Sequence, residues 1–140
     1  MPTHFRLLPI TLSLLFFTSC SLSTPSVKGV EIACAFVEAY QETKVLTLTL
    51  PPNQALDFID SVIPSPEQLE ESSPLDDTSR QIVVDLRKVM KDWTESFVDY
   101  SDTKDKVKFA RAGTSLESSI NTLARKCESI GWKFKQNWRI

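Results

Sequence analysis

The side chains best placed to do chemistry in this 140-residue chain are three cysteines, Cys20, Cys34 and Cys127, because the chain holds only one histidine. That residue, His4, precedes an apolar run and belongs to what reads as a leader, so the domain beyond it has none. Ser-His and Cys-His nucleophile pairs, His general bases and most catalytic zinc sites are thereby excluded from the domain. Carboxylates are plentiful. Asp57, Asp60, Glu67, Glu70, Glu71, Asp76 and Asp77 follow one another with no Lys or Arg between Lys44 and Arg80. Such a run offers either oxygen ligands for a weakly held divalent cation or a solvated acidic face. Asp99, Ser101, Asp102, Thr103 and Asp105 begin like a calcium loop, but Lys104 and Ala110 stand where that loop needs Gly and Glu. The segment is expected to turn the chain, with Ser101 or Asp102 capping the next helix. The three glycines are isolated, which excludes a phosphate-cradling loop. No residue is assigned a catalytic, cofactor-binding or metal-binding role.

The setting of the cysteines begins with the leader. Leu7–Phe17 is an 11-residue apolar run behind Arg6, about 16 Å long as a helix and too short to cross a bilayer core of roughly 30 Å. A cationic start, a short apolar core and small residues after it form a secretory signal peptide. Phe17-Thr18-Ser19-Cys20 then resembles the lipobox of bacterial lipoprotein precursors, with Phe17 at the position usually held by Leu. The resemblance implies diacylglycerol on Cys20, cleavage before it, and a domain exported and anchored to the outer face of the cell membrane. The chain accordingly divides into a signal peptide (1–19), the lipidated Cys and a short tether (20–29), and a helical domain (30–140).

The elements that must position everything else are helices. Val30, Cys34, Val37 and Tyr40 recur at helical spacing and predict a helix over 30–46. Leu46-Thr47-Leu48-Thr49-Leu50 alternates with period two and leaves a strand open there. Pro51-Pro52 ends either one, and Asn53 is the expected cap of a helix over 54–63. Residues 65–77 read as an acidic, Pro/Ser-rich loop. Ile82, Leu86, Val89, Trp93, Phe97 and Tyr100 predict a core-facing helix over 78–101, its start marked by Asp76 and Asp77. Phe109, Gly113, Leu116, Ile120, Leu123, Cys127 and Ile130 predict the last helix, 104–130, with Gly131 just past its end. The chain is long enough for one domain, and 41% apolar with 24% charged residues excludes a polytopic membrane protein. The fold expected is all-α, an antiparallel four-helix bundle. The alternative is α+β, with 45–50 pairing against 132–140.

In an up-down-up-down bundle, Cys34 near the start of the first helix and Cys127 near the end of the last meet at one level. An even pair in an exported chain then predicts a disulfide, the other reading being two buried free thiols. From Lys104 onward nine cations outnumber three acids. In the tail, Trp132, Phe134, Trp138 and Ile140 alternate with Lys133, Lys135 and Arg139, giving an aromatic and a basic face if extended. Arg125, Lys126, Trp132, Lys133, Phe134, Lys135, Trp138 and Arg139 form the candidate binding surface. It would meet anionic headgroups or wall polymer at about 1 kcal/mol per cation, unless the aromatics merely close the bundle end. A net charge of −2 argues against a nucleic-acid partner.

The early Cys, the Pro-bounded short helix and the late Cys before a Gly also resemble a loose class of small helical lipoproteins of high-GC Gram-positive bacteria. That resemblance implies a disulfide-closed bundle outside the membrane. The expectation for function is a non-enzymatic binding or structural envelope protein needing no cofactor. A small apolar-ligand carrier and, further off, a carboxylate-based hydrolase are the alternatives.

Overall fold

The computed structural model describes residues 25–135, with side chains from Gly29 onward. The helices are α1 (Pro25–Glu38), α2 (Tyr40–Thr49), α3 (Pro52–Val62), α4 (Pro66–Glu70), α5 (Asp77–Thr103) and α6 (Lys106–Ser129). Among the described residues there is no strand, so the class is all-α.

The proposed pairing of 45–50 with 132–140 does not form over the described residues. Residues 45–49 lie in α2 and 132–135 are neither helix nor strand. The physical reason is a spacing that the Leu-Thr alternation masks. Tyr40, Thr43 and Thr47 recur at three and four, and all three are buried. The hydroxyls of the inward threonines are satisfied within the helix, Thr47 Oγ1 donating to the Thr43 carbonyl at 2.7 Å and Thr43 Oγ1 to that of Ala39 at 3.3 Å. α1 and α2 are nearly one helix. A single residue, Ala39 with ψ near 1°, separates them, and Thr43 N–H still donates to the Ala39 carbonyl. α1 begins at Pro25, inside the segment read as tether.

Other boundaries moved for local reasons. α3 takes Pro52 as its first helical residue instead of using Asn53 as cap, because a proline without an N–H suits a position whose N–H has no helical partner. The segment read as a loop contains α4, nucleated by a capping box. Ser65 Oγ accepts from the Gln68 N–H, and the Gln68 side chain accepts from the Ser65 N–H. Asp76 caps α5 through the Ser79 N–H at 2.7 Å. Neither Ser101 nor Asp102 caps α6. α5 runs on to Thr103, Lys104 takes a left-handed conformation (φ 58°), and Asp105 accepts from the Lys108 N–H at 2.9 Å.

α5 is the hub, packing against each of the other five helices. Its buried stripe, Ile82, Val83, Leu86, Met90 and Trp93, faces Cys34, Val37 and Tyr40 of α1–α2, Ile59 and Ile63 around the end of α3, and Leu116, Ile120, Leu123 and Cys127 of α6. At the α5–α6 turn, Phe109 stacks on Tyr100 (5.0 Å between ring centres) and touches Phe97 and Trp93 at about 6 Å. The aromatic residues of helix 78–101 therefore serve as packing for the helical hairpin. The Cys34–Cys127 disulfide forms, with Cα atoms 5.8 Å apart and both residues fully buried, and it clamps α1 to α6.

Candidate functional site

The end of α6 sets up the candidate surface through its backbone. The Trp132 N–H donates to the Cys127 carbonyl at 3.0 Å and the Gly131 N–H to that of Glu128 at 3.1 Å, with Gly131 at φ 99°. This is a Schellman stop, in which the residue after the glycine folds back on the last helical turn. It turns the chain onto α1 immediately beyond the disulfide. Trp132 and Phe134 pack half-buried against the core, edge to face at 6.4 Å. Lys133 and Lys135 point outward, so the alternation read in the sequence is realised over 132–135 without any strand partner. The Lys135 N–H donates to Glu38 Oε1 at 3.2 Å. The Trp132 Nε1 is buried without a hydrogen-bond partner among the described residues.

Of the other candidate residues, Arg125 is exposed on α6, and Lys126 reaches Asp85 of α5 at 3.1 Å. Trp138 and Arg139 lie outside the described residues, as does Cys20. The described part of the basic surface is therefore Lys133 and Lys135, exposed beside the half-buried Trp132–Phe134 pair, and exposed Arg125 on α6, with Lys126 shared with an acid.

Three acids of the run, Asp60, Glu67 and Glu70, meet cations of α5. Arg80 bonds Glu70 through two of its nitrogens and Glu67 through a third at 3.0 Å. Arg87 donates to the Ile63 carbonyl at the C-terminal end of α3 and to Asp60 at 2.6 Å, and Lys91 meets the same carboxylate at 2.7 Å. The bond from Lys91, with help from Arg87, holds the Asp60 carboxyl below its ordinary value. A bond from its own backbone, and then Arg80, do the same for Glu67. Among the described residues no group of three or more His, Cys, Asp or Glu converges as a metal site would require.

Two features of the surface bear on ligand binding. The cleft between α5 and α6, lined by Val89, Trp93, Ala112 and Leu116 among others, measures about 130 Å³. Ordinary small-molecule pockets run from roughly 300 to 1,000 Å³. The second feature is one that sequence reasoning missed. Because Thr43 and Thr47 turn inward, α2 presents Val45, Leu46 and Leu48 to the outside, 59%, 52% and 43% exposed. The signal was the Tyr40-Thr43-Thr47 spacing, hidden by the period-two alternation of Leu46–Leu50. Among the described residues, no helix is long and apolar enough to cross a membrane. No family model matches the chain, and neither curated proteins nor solved structures gave a match.

Proposed function

We propose that this chain is an exported lipoprotein, held to the outer face of the cell membrane through Cys20 and acting as a non-enzymatic binding or structural component of the envelope. The observation that carries the reading is the buried Cys34–Cys127 disulfide. Protein disulfides persist outside the reducing cytosol, which agrees with a leader and lipobox that resemble those of lipoprotein precursors. The frame is read as four antiparallel passes, α1–α2, α3, α5 and α6. Asp60–Arg87 between α3 and α5, Asp85–Lys126 between α5 and α6, and Lys44–Glu117 between α2 and α6 support that order. The basic residues Arg125, Lys133 and Lys135 suit an anionic headgroup or wall polymer. The carrier reading gains no support from the cleft between α5 and α6, which is smaller than an apolar ligand needs.

The test is a pair of mass spectra, non-reduced and reduced, of the protein from its native membrane fraction. The expected result is a mature chain starting at acylated Cys20 with a linked 34–127 peptide, and release to the soluble fraction on Cys20→Ser substitution. A chain still starting at Met1 with three free thiols overturns the proposal.

A further inference from the structure

Residues 132–135 and the helix beside them form a groove whose two sides carry opposite charge. The Trp132 N–H is held at the carbonyl of Cys127, which is bonded to Cys34, and three residues later the Lys135 N–H reaches Glu38. The segment therefore runs alongside α1, from the level of Cys34 to that of Glu38. The groove between them measures about 440 Å³. That lies within the roughly 300–1,000 Å³ of ordinary ligand sites. Ala35 and Ala39 line it one helical turn apart, and their small side chains leave the space open. Glu38 and Glu42 line it from the helical side, and Lys133 and Lys135 from the side of the tail.

The two rows of charge keep step. Four helical residues rise about 6 Å at 1.5 Å each, and two extended residues span about 6.6 Å at roughly 3.3 Å each. An extended peptide repeats at that same interval on each of its two faces, with successive side chains on opposite faces. Cationic residues at alternate positions would meet the glutamates, and acidic residues between them would meet the lysines. These charges are available. Among the described residues Glu42, Lys133 and Lys135 make no ion pair, and the Trp132 Nε1 at the same groove has no partner. A pure polyanion would be repelled by the glutamates and a pure polycation by the lysines.

We propose that this groove binds a short extended peptide segment in which basic and acidic residues alternate. The proposal rests on reading this end of the molecule as a binding surface and names the class of partner it takes. It does not rest on export or on the lipid, which the mass spectra test separately.

The test is an NMR titration of the oxidised full chain in uncharged detergent, read at the indole N–H resonances. The probe is the peptide acetyl-Lys-Glu-Lys-Glu-amide, with tetralysine and tetraglutamate as controls. Trp132→Phe identifies the Trp132 signal, and a linked 34–127 peptide in a digest of each sample shows that the fold is intact. The expected result is a saturable shift of the Trp132 signal with the alternating peptide, while that of buried Trp93 stays in place. Binding should weaken with added salt. Lys133→Glu and Glu42→Lys, both at exposed positions, should each weaken it by about tenfold. Equal binding of either control peptide overturns the proposal, as does unchanged binding by the two variants. A Trp132 signal that does not move at millimolar peptide, with the disulfide intact, overturns it as well.

Discussion

Tyr40 shows what burial does to one titratable group. It is fully buried, its hydroxyl accepts from Gln41, and burial together with the nearby Glu117 carboxylate pushes its pKa up to about 12. An unfolded tyrosine ionises near its ordinary value of 10.0, so between that pH and about 12 the unfolded chain loses a proton that the folded chain keeps. The stabilisation is complete below pH 10 and declines as pH rises through that window. An ultraviolet titration should find this phenol ionising near pH 12, with stability to urea falling over the two units before it. Ionisation near pH 10 in the folded protein would mean that the ring is wet. Ser79 makes the complementary case. Its Oγ is buried with no partner among the described residues, close to where α1 passes the 74–79 turn at Gly29. A buried hydroxyl without a bond costs about 1–3 kcal/mol of lost hydration. Ser79→Ala should therefore raise stability, by about 1 kcal/mol once the small void is allowed for. A comparable loss in urea denaturation would reveal a hydrogen bond at that hydroxyl.

At the level of elements, two glycines on or just beyond α6 should respond to alanine with opposite signs. A methyl at either Gly113 or Gly131 meets nothing within 4 Å, so backbone conformation alone decides. Gly131 holds φ 99°, which an L side chain resists, and it makes the stop that turns Trp132 onto α1. Gly131→Ala should cost about 1 kcal/mol or more. Gly113 lies inside the helix, where alanine is the better residue, and Gly113→Ala should add about 0.5–1 kcal/mol. Equal shifts in thermal midpoint for the two variants would refute this account. The same helices show what the sequence made legible. The 78–101 and 104–130 predictions land within two residues of α5 and α6 because their apolar residues keep three-four spacing, packing into the core over Ile82–Trp93 and Leu116–Cys127 and against one another at the aromatic turn between. Gly131 was legible because only a residue tolerant of positive φ serves there. The end of α2 stayed open between helix and strand because Leu46–Leu50 alternates with period two, while its inward residues are threonines whose hydroxyls bond back to the helix. α4 was missed because a five-residue helix is nucleated by Ser65 and Gln68 rather than by an apolar stripe. The α5 cations that divide the acidic run were not legible either, since Asp60 and Arg87 are 27 residues apart and only packing brings them together. Of the candidate surface, the alternation was legible over 132–135, but the sequence could not say that its aromatic row would lie on α1.

For the whole molecule, the disulfide is the covalent contact across the chain, joining residues 93 apart in sequence. Most other contacts work through α5, which lies at the centre and touches every other helix. The bond between α1 and α6 joins two helices that both pack on that hub. In the chain-entropy model a loop of this length stabilises the fold by about 4–5 kcal/mol. A small domain has a total stability of only about 5–15 kcal/mol, so the bond would supply a large share of it. Cys34→Ala with Cys127→Ala removes the link without leaving a lone thiol, and both sites are buried enough to accept a small apolar residue. The double variant should lose about 4–5 kcal/mol in urea denaturation, with a fall in thermal midpoint of roughly 15–25 °C. The original chain should approach that value when a strong reductant is added, while the double variant should not respond to reductant at all. That second comparison separates the covalent link from the packing lost with two sulfur atoms, because reduction leaves both side chains in place. If reduction left the midpoint unchanged, packing around α5 would hold α1 and α6 together unaided. The disulfide would then form without being what keeps the chain folded.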